Sequence, residues 1–226
     1  VAGVASFHLT TWRTTGTAWS HLGRDRLTLA RVPGLDFVRL LGTGRGSSTR
    51  PGADRRRTAA FAVWRDEAAL EEFLAVHPVA ARWHAAAEHW SVRLRGAGGH
   101  GSWRGVEVPA RLQRGSDAGR VAILTRADVR AAAWRRFGRA GGPVDDELAG
   151  TTGLIAVVAV GEAPIGRLGT FSVWQSLAAM RAFAASRRHT EVVVRTRRER
   201  WYGEEMFARF EPYGSRGTWD GRDPLA

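Results

Sequence analysis

The sequence repeats itself at long range. Phe61-Ala62-Val63-Trp64 is matched by Phe171-Ser172-Val173-Trp174, and Ala68, Leu70 and Phe73 by Ala178, Met180 and Phe183, at a constant offset of 110 residues. Trp90 answers Trp201 with one residue inserted, and Gly101-Ser102-Trp103-Arg104-Gly105 answers Gly217-Thr218-Trp219-Asp220-Gly221. Solenoid units recur every ~20–50 residues, so this spacing is that of a duplicated module, not of a stacked array. Two such α+β modules enclose a cleft, and duplication lets one copy carry chemistry while the other supports it.

Residue patterning gives both copies the same order. In the first, strands are expected at Val4–Leu9, Phe37–Leu41, Arg57–Trp64 and Trp90–Leu94, with helices at Thr17–Leu29, after an Asp66 cap, and over Val79–Glu88 beyond the His77-Pro78 break. In the second, strands are expected at Arg120–Thr125, Leu154–Val160, Gly169–Trp174 and Met206–Phe210. Its helices are expected at Ala127–Phe137, after a Ser176 cap, and over about Arg188–Arg200. The fully apolar Leu154–Val160 predicts a buried strand. Gly42–Asp54 is expected to be a loop. Each half is β-α-β-β-α-β, the ferredoxin-like order. The fold class is therefore α+β, two fused modules over 1–110 and 111–226, with the boundary in the polar segment Arg111–Gly119.

A chain of 226 residues with 44% apolar content can bury a large core. The net charge is +12 and there is no lysine, so every fixed positive side chain is arginine. GC-rich codon usage accounts for that; the functional alternative is a surface for nucleic acid, cofactor carboxylates or an acidic redox partner. The absence of cysteine removes disulfides, thiolate nucleophiles, cysteine-held iron–sulfur clusters and thiolate or covalently attached haem. The longest apolar run, Leu154–Val160, cannot span a bilayer, and Val1–Thr10 lacks a leader pattern, so no transmembrane segment and a cytoplasmic location are expected.

Candidate chemistry is sparse. His84 and Glu88 stand at i,i+4 and, with His77, could begin a metal site, although Pro78 interrupts the helix between them. His189, Val193 and Thr196 align at i, i+4 and i+7, which could aim an imidazole into a cavity or leave it on the surface. Glu162, at the end of the most apolar strand, is either an acid/base at the sheet rim or an arginine partner. Gly42-Thr43-Gly44-Arg45-Gly46 lacks both the P-loop and the dinucleotide pattern. The paired tryptophans point to scaffold use.

Phe171-Ser172-Val173-Trp174, Ala179, Met180, Phe183, His189, Trp201, Glu204-Glu205, Ala208-Arg209-Phe210 and the run Gly217–Leu225 together resemble the spheroidene monooxygenase family, acyclic carotenoid 2-ketolases. Leu124–Ala127, Gly161-Glu162-x-Pro164, Arg31-x-Pro33-Gly34-Leu35 and Gly42-x-Gly44 fit as well. The resemblance implies a haem-dependent oxygenase that takes electrons from reduced ferredoxin and inserts oxygen from O2 into a small apolar or biosynthetic-pathway molecule. It also implies the dimeric α+β-barrel architecture shared with chlorite dismutases, dye-decolorising peroxidases and aldoxime dehydratases. Those proteins hold haem through a histidine on a helix of the C-terminal half. His189 matches it, making it the expected ligand of a noncovalent haem b, with Val193 and Thr196 beside it and Arg188 and Arg195 as propionate partners. Glu162 is the catalytic candidate. The arginine-rich stretch Arg45–Arg57 departs from a lipophilic substrate entrance.

Other readings remain at this point: aldoxime dehydratase-like or N-oxidising and N–N bond-forming haem chemistry, a non-catalytic binding protein, and a homo-oligomer. Tandem RNA-binding modules would share the topology, but the RNP1 pattern is missing from both halves, so no nucleic-acid partner is expected.

Overall fold

The computed structural model describes residues 3–44, 53–162 and 166–226. The first half runs β1 (Val4–Thr11), α1 (Thr15–Leu29), β2 (Leu35–Gly44), β3 (Ala53–Trp64), α2 (Glu67–Val76), α3 (Pro78–His84) and β4 (Glu88–Gly101). The second runs β5 (Val121–Val129), α4 (Trp134–Ala149), β6 (Leu154–Glu162), β7 (Arg167–Trp174), α5 (Leu177–Ala184), α6 (Arg187–Arg198) and β8 (Tyr202–Gly217). The protein is α+β. Its eight described strands close into one antiparallel barrel in the order β1-β3-β2-β6-β7-β5-β8-β4, and the helices lie outside. None of the described helices is long and apolar enough to cross a membrane.

The repeat is visible in the register. Trp64 faces Val4 on one side and Leu35 on the other; Trp174 faces Val121 and Leu154. In both copies the outer partner strand slips directly after that pair. Both tryptophans then pack on the following helix, Trp64 on Phe73 and Trp174 on Phe183. The helices start alike: the Asp66 and Ser176 side chains accept from Ala69 N and Ala179 N, each satisfying a donor that the first helical turn leaves free. His77 ends α2, and its Nδ1 accepts from Val79 N at 3.3 Å to open α3, whose first residue is Pro78.

One core fills the barrel and draws on every strand, with Phe7 of β1 stacked on Phe171 of β7 at 3.9 Å. Tryptophans on tight turns close it. Trp103 and Trp219 each bond across a turn to Val106 and Arg222. The central residues, Arg104-Gly105 and Asp220-Gly221, all have positive φ (56°, 74°, 54° and 80°), the conformation that favours glycine. The halves hold each other's turns. Glu204 of β8 accepts from Ser102 Oγ, Arg104 N and Gly105 N, and Glu88 of β4 accepts from Thr218 Oγ1 and Gly221 N.

Burial opposes ionisation of Glu204, but bonds from Gly105, Ser102, Arg104 and Arg126 outweigh it and hold its pKa at about 2, against an ordinary 4.5. A native pKa below the unfolded one stabilises the fold above the unfolded value and is lost as pH falls through the native one. The urea midpoint is therefore expected to decline as pH drops from 4.5 toward 2. Glu204→Gln should flatten that decline, and an equal slope in both proteins would remove Glu204 as its cause.

Several expected boundaries move. The expected helix Ala127–Phe137 is strand over its first three residues: β5 continues to Val129 because Asp128 pairs with Arg167 and Val129 with Tyr202. Helix begins at Trp134 and runs to Ala149 through Gly138, Gly141, Gly142 and Pro143. Val79–Glu88 is helical only to His84, and Glu88 opens β4. Gly42–Gly44 belongs to β2 and Ala53–Asp54 to β3; of the expected loop, and of the arginine-rich stretch beyond it, residues 45–52 lie outside the described residues. Trp90 and Trp201 are both fully buried but not in like places: Trp90 is in the barrel core and Trp201 packs outside it, beside Val129 and α4.

Candidate functional site

With the barrel interior packed, room for a ligand must lie between sheet and helices, and there the two halves differ. In the first half the outer face is covered by helices, apart from a small cavity under α1 lined by Trp12, His21, Asp25 and Trp83. Ser6, His8 and Thr10 of β1 and Thr58, Ala60, Ala62 and Trp64 of β3 are all buried. Here α1 lies on β2 and β3, while α3 presses Val79, Ala80 and Trp83 inward. In the second half α4 packs mainly on α6 and has no comparable contact with a strand. Beneath it Thr125, Val157, Leu168, Thr170 and Phe207 are only half-buried. The register makes Thr125 the counterpart of His8 and Thr170 that of Ala60, yet those first-half residues are 1% and 3% exposed. The half-burial of Leu154–Val157 also corrects the expectation of a fully buried strand; only Val158–Val160 are covered. This half-buried outer face of β5–β8, beside α4 and α6, is the candidate slot.

His189 sits in the first turn of α6. Ser186 caps that turn by accepting from His189 N at 3.4 Å. The ring lies 5.2 Å from Phe183, which lies 5.7 Å from Trp174 of β7, so the imidazole is on the sheet side of its helix. His189 Nδ1 is 3.0 Å from the Ala184 carbonyl. A carbonyl only accepts, so Nδ1 carries a proton, and Nε2 is the nitrogen available as a lone-pair donor in the neutral ring. Val193 is half-buried and Thr196 buried, sharing this face with His189.

The other candidates are elsewhere. Arg188 is exposed. Arg195 donates to Glu199 at 2.9 Å and covers the Trp201 ring at 5.3 Å. Glu162 lies on the inner rim of the barrel, where it accepts from Trp103 Nε1 at 2.5 Å and from Arg104 at 2.7 Å, with Arg39 at 3.5 Å. Its burial disfavours the charge, but Arg104 and Trp103 prevail and keep its pKa below the ordinary value. An ionised carboxylate tied to arginines, with the sheet between it and His189, is a poor proton donor.

Three first-half histidines form a separate aromatic group. His8 and His89 stack at 5.6 Å, with His84 5.2 Å from His89. Burial holds His8 well below its ordinary pKa and lowers His89 to about 4, so both are neutral. His77 serves as a helix cap and Glu88 holds a turn. Among the described residues no group of three or more His, Cys, Asp or Glu side chains is placed to hold a metal ion.

Sequence reasoning missed the floor. Thr125 and Phe207 lie in strands whose offset between the copies departs from 110, and only aligning the strands by their tryptophan partners brings them opposite His8 and Ser91.

No family model matches the chain. The spheroidene monooxygenase of Rubrivivax gelatinosus is 38% identical over 196 residues, covering 84% of this chain and 73% of that protein. That of Rhodobacter capsulatus is 33% identical over 210 residues, covering 89% and 86%. Among solved structures, an aldoxime dehydratase superposes with a TM-score of 0.59 over 93% of this chain and 81% of that one. At 12% identity the likeness is one of fold.

Proposed function

The chain belongs to the spheroidene monooxygenase family and is a monooxygenase-like enzyme, and we propose that its oxidation depends on haem b held by His189 in the slot beneath α6. In this reading the barrel is two fused ferredoxin-like modules, with 1–110 the supporting half and 111–226 the cofactor-binding half. The observation that carries it is the Nδ1–H bond from His189 to Ala184 O. It fixes a tautomer and ring orientation that would suit an iron-binding imidazole.

The residues present fit the group. A single imidazole nitrogen faces an apolar slot walled by Phe183, Val192 and Val193, which suits a macrocycle bound without a thiolate. Haem, when bound, would supply the activation of O2. The chain's own residues do the rest. Ala184 orients the imidazole, and Phe183 and the half-buried Val157, Leu168 and Phe207 exclude water and receive an apolar substrate. Arg188, like Arg197, has no ion pair among the described residues and is assigned to the propionates, whereas Arg195 is committed to Glu199. Monooxygenation consumes two electrons, which we assign to reduced ferredoxin drawn to the arginines on the outer side of α6.

Purified protein titrated with haemin should show a histidine-type Soret band saturating at one haem per chain. Saturable zinc binding with no haem uptake would overturn the reading.

The slot also sets a dynamic expectation. Interior glycine costs a helix ~1 kcal/mol and proline ~3 kcal/mol relative to alanine. Helix α4 contains Gly138, Gly141, Gly142 and Pro143 and lacks the sheet support that α1 has. Amide exchange should therefore be faster in α4 than in α1 and should slow when haem is added. Equal protection of the two helices, unchanged by haem, would count against an open slot.

A further inference from the structure

We propose that the paired hydroxyls of Thr125 and Thr170 are positioning residues, supplying the hydrogen bond that the floor of the slot offers to a diatomic ligand bound opposite His189. This rests on the haem reading above.

The two threonines face each other across β5 and β7 with Oγ1 atoms 2.9 Å apart. They share the outer face with Val121, Ile123 and Trp174, which cluster with Met180 and Phe183 of α5, and Phe183 touches His189. The hydroxyls thus look into the same compartment as the imidazole, from the opposite wall. Both are half-buried. Two hydroxyls carry two protons. One is used between them, and among the described residues the other has no acceptor. It is left to point into the slot.

The surroundings make that proton consequential. The neighbouring floor positions are Ala127, Ala159, Leu168 and Ser172, and the Ser172 oxygen already accepts from Trp174 Nε1 at 2.9 Å. Nor does the barrel require the pair, because the equivalent positions of the first half are His8 and Ala60. A neutral hydroxyl donates a hydrogen bond without surrendering its proton at neutral pH, so it orients and polarises a ligand and is not itself the acid.

The test is the infrared C–O stretch of the ferrous carbon monoxide complex, measured on haem-loaded wild type, Thr125→Val, Thr170→Val and the double variant. Losing a donor to the bound ligand should raise the stretching frequency, most in the double variant, and Thr125→Ser with Thr170→Ser should restore the wild-type band. O2 dissociation should quicken in the double variant by up to about tenfold, the scale of one hydrogen bond. KM should stay unchanged while kcat falls. A purely structural role would alter melting temperature and leave the C–O band in place. An unshifted band in a double variant with a wild-type Soret spectrum overturns the proposal. If wild type takes up no haem, the haem reading fails first and this inference fails with it.

Discussion

His189→Ala is expected to fold into the same barrel, bind no haem at concentrations that saturate wild type, and turn over no substrate. The fold should persist because His189 is half-buried at the edge of the helix layer and its only side-chain hydrogen bond among the described residues is to one carbonyl. The helix keeps its Ser186 cap, its buried Thr196 and the i,i+4 pairs Arg187–Glu191 and Arg195–Glu199. Such pairs and caps secure a helix without one side chain of its inner face. The thermal midpoint should shift by only a few degrees. Free imidazole should restore part of the Soret spectrum by occupying the vacated position beside Phe183. His84→Ala should bind haem normally. Retention of the wild-type spectrum by His189→Ala would move the ligand out of the second half. His8 is buried against Trp83, so the first-half imidazole nearest the floor would be His100, exposed and stacked on Phe207 at 5.7 Å.

Some of this was legible in the residues. The matching places of Trp64 and Trp174, both side-chain caps, the break at His77-Pro78 and the shared face of His189, Val193 and Thr196 follow from local chemistry, and local chemistry is what a sequence displays. The run of β5 through Ala127–Val129 does not. Those residues suit either element, and the ladders from β7 and β8 decide between them. Helix α4 is similar: four glycine and proline positions argue against it, and packing of Trp134, Phe137 and Ala140 with Val192 and Trp201 overrides them. The assignment of Glu162 to chemistry rested on its place at a strand end. The direction of that end, into the barrel toward Trp103 and Arg104, is set by register, where a shift of one residue reverses a side chain. The slot was hidden for another reason. It arises from which strands the helices fail to cover, a relation between elements with no local signature.

Phe171→Ala should be the most destabilising single change in the barrel. Phe171 is fully buried and stacks face to face on Phe7 at 3.9 Å with planes 6° apart, and Trp90 meets it from another side at 6.3 Å. Truncating a buried phenylalanine costs ~3–5 kcal/mol, because the transfer energy is lost and a cavity remains. Whole domains are stable by only ~5–15 kcal/mol, so this removes a large share. Phe7→Ala should cost about as much. The double variant should fall short of the sum by ~0.5–1.5 kcal/mol, the coupling expected of one aromatic pair. The pair also joins the halves, since Phe7 belongs to β1 and Phe171 to β7. If the halves share one core, as the cluster drawn from all eight strands requires, Phe171→Ala must lower a single unfolding transition that reports Trp64 and Trp174 together. Urea unfolding followed by tryptophan fluorescence and by far-ultraviolet circular dichroism checks this. A variant that loses its second half at low urea while the first unfolds at the wild-type midpoint would show two independent domains, and the shared core would then contribute far less than its packing implies.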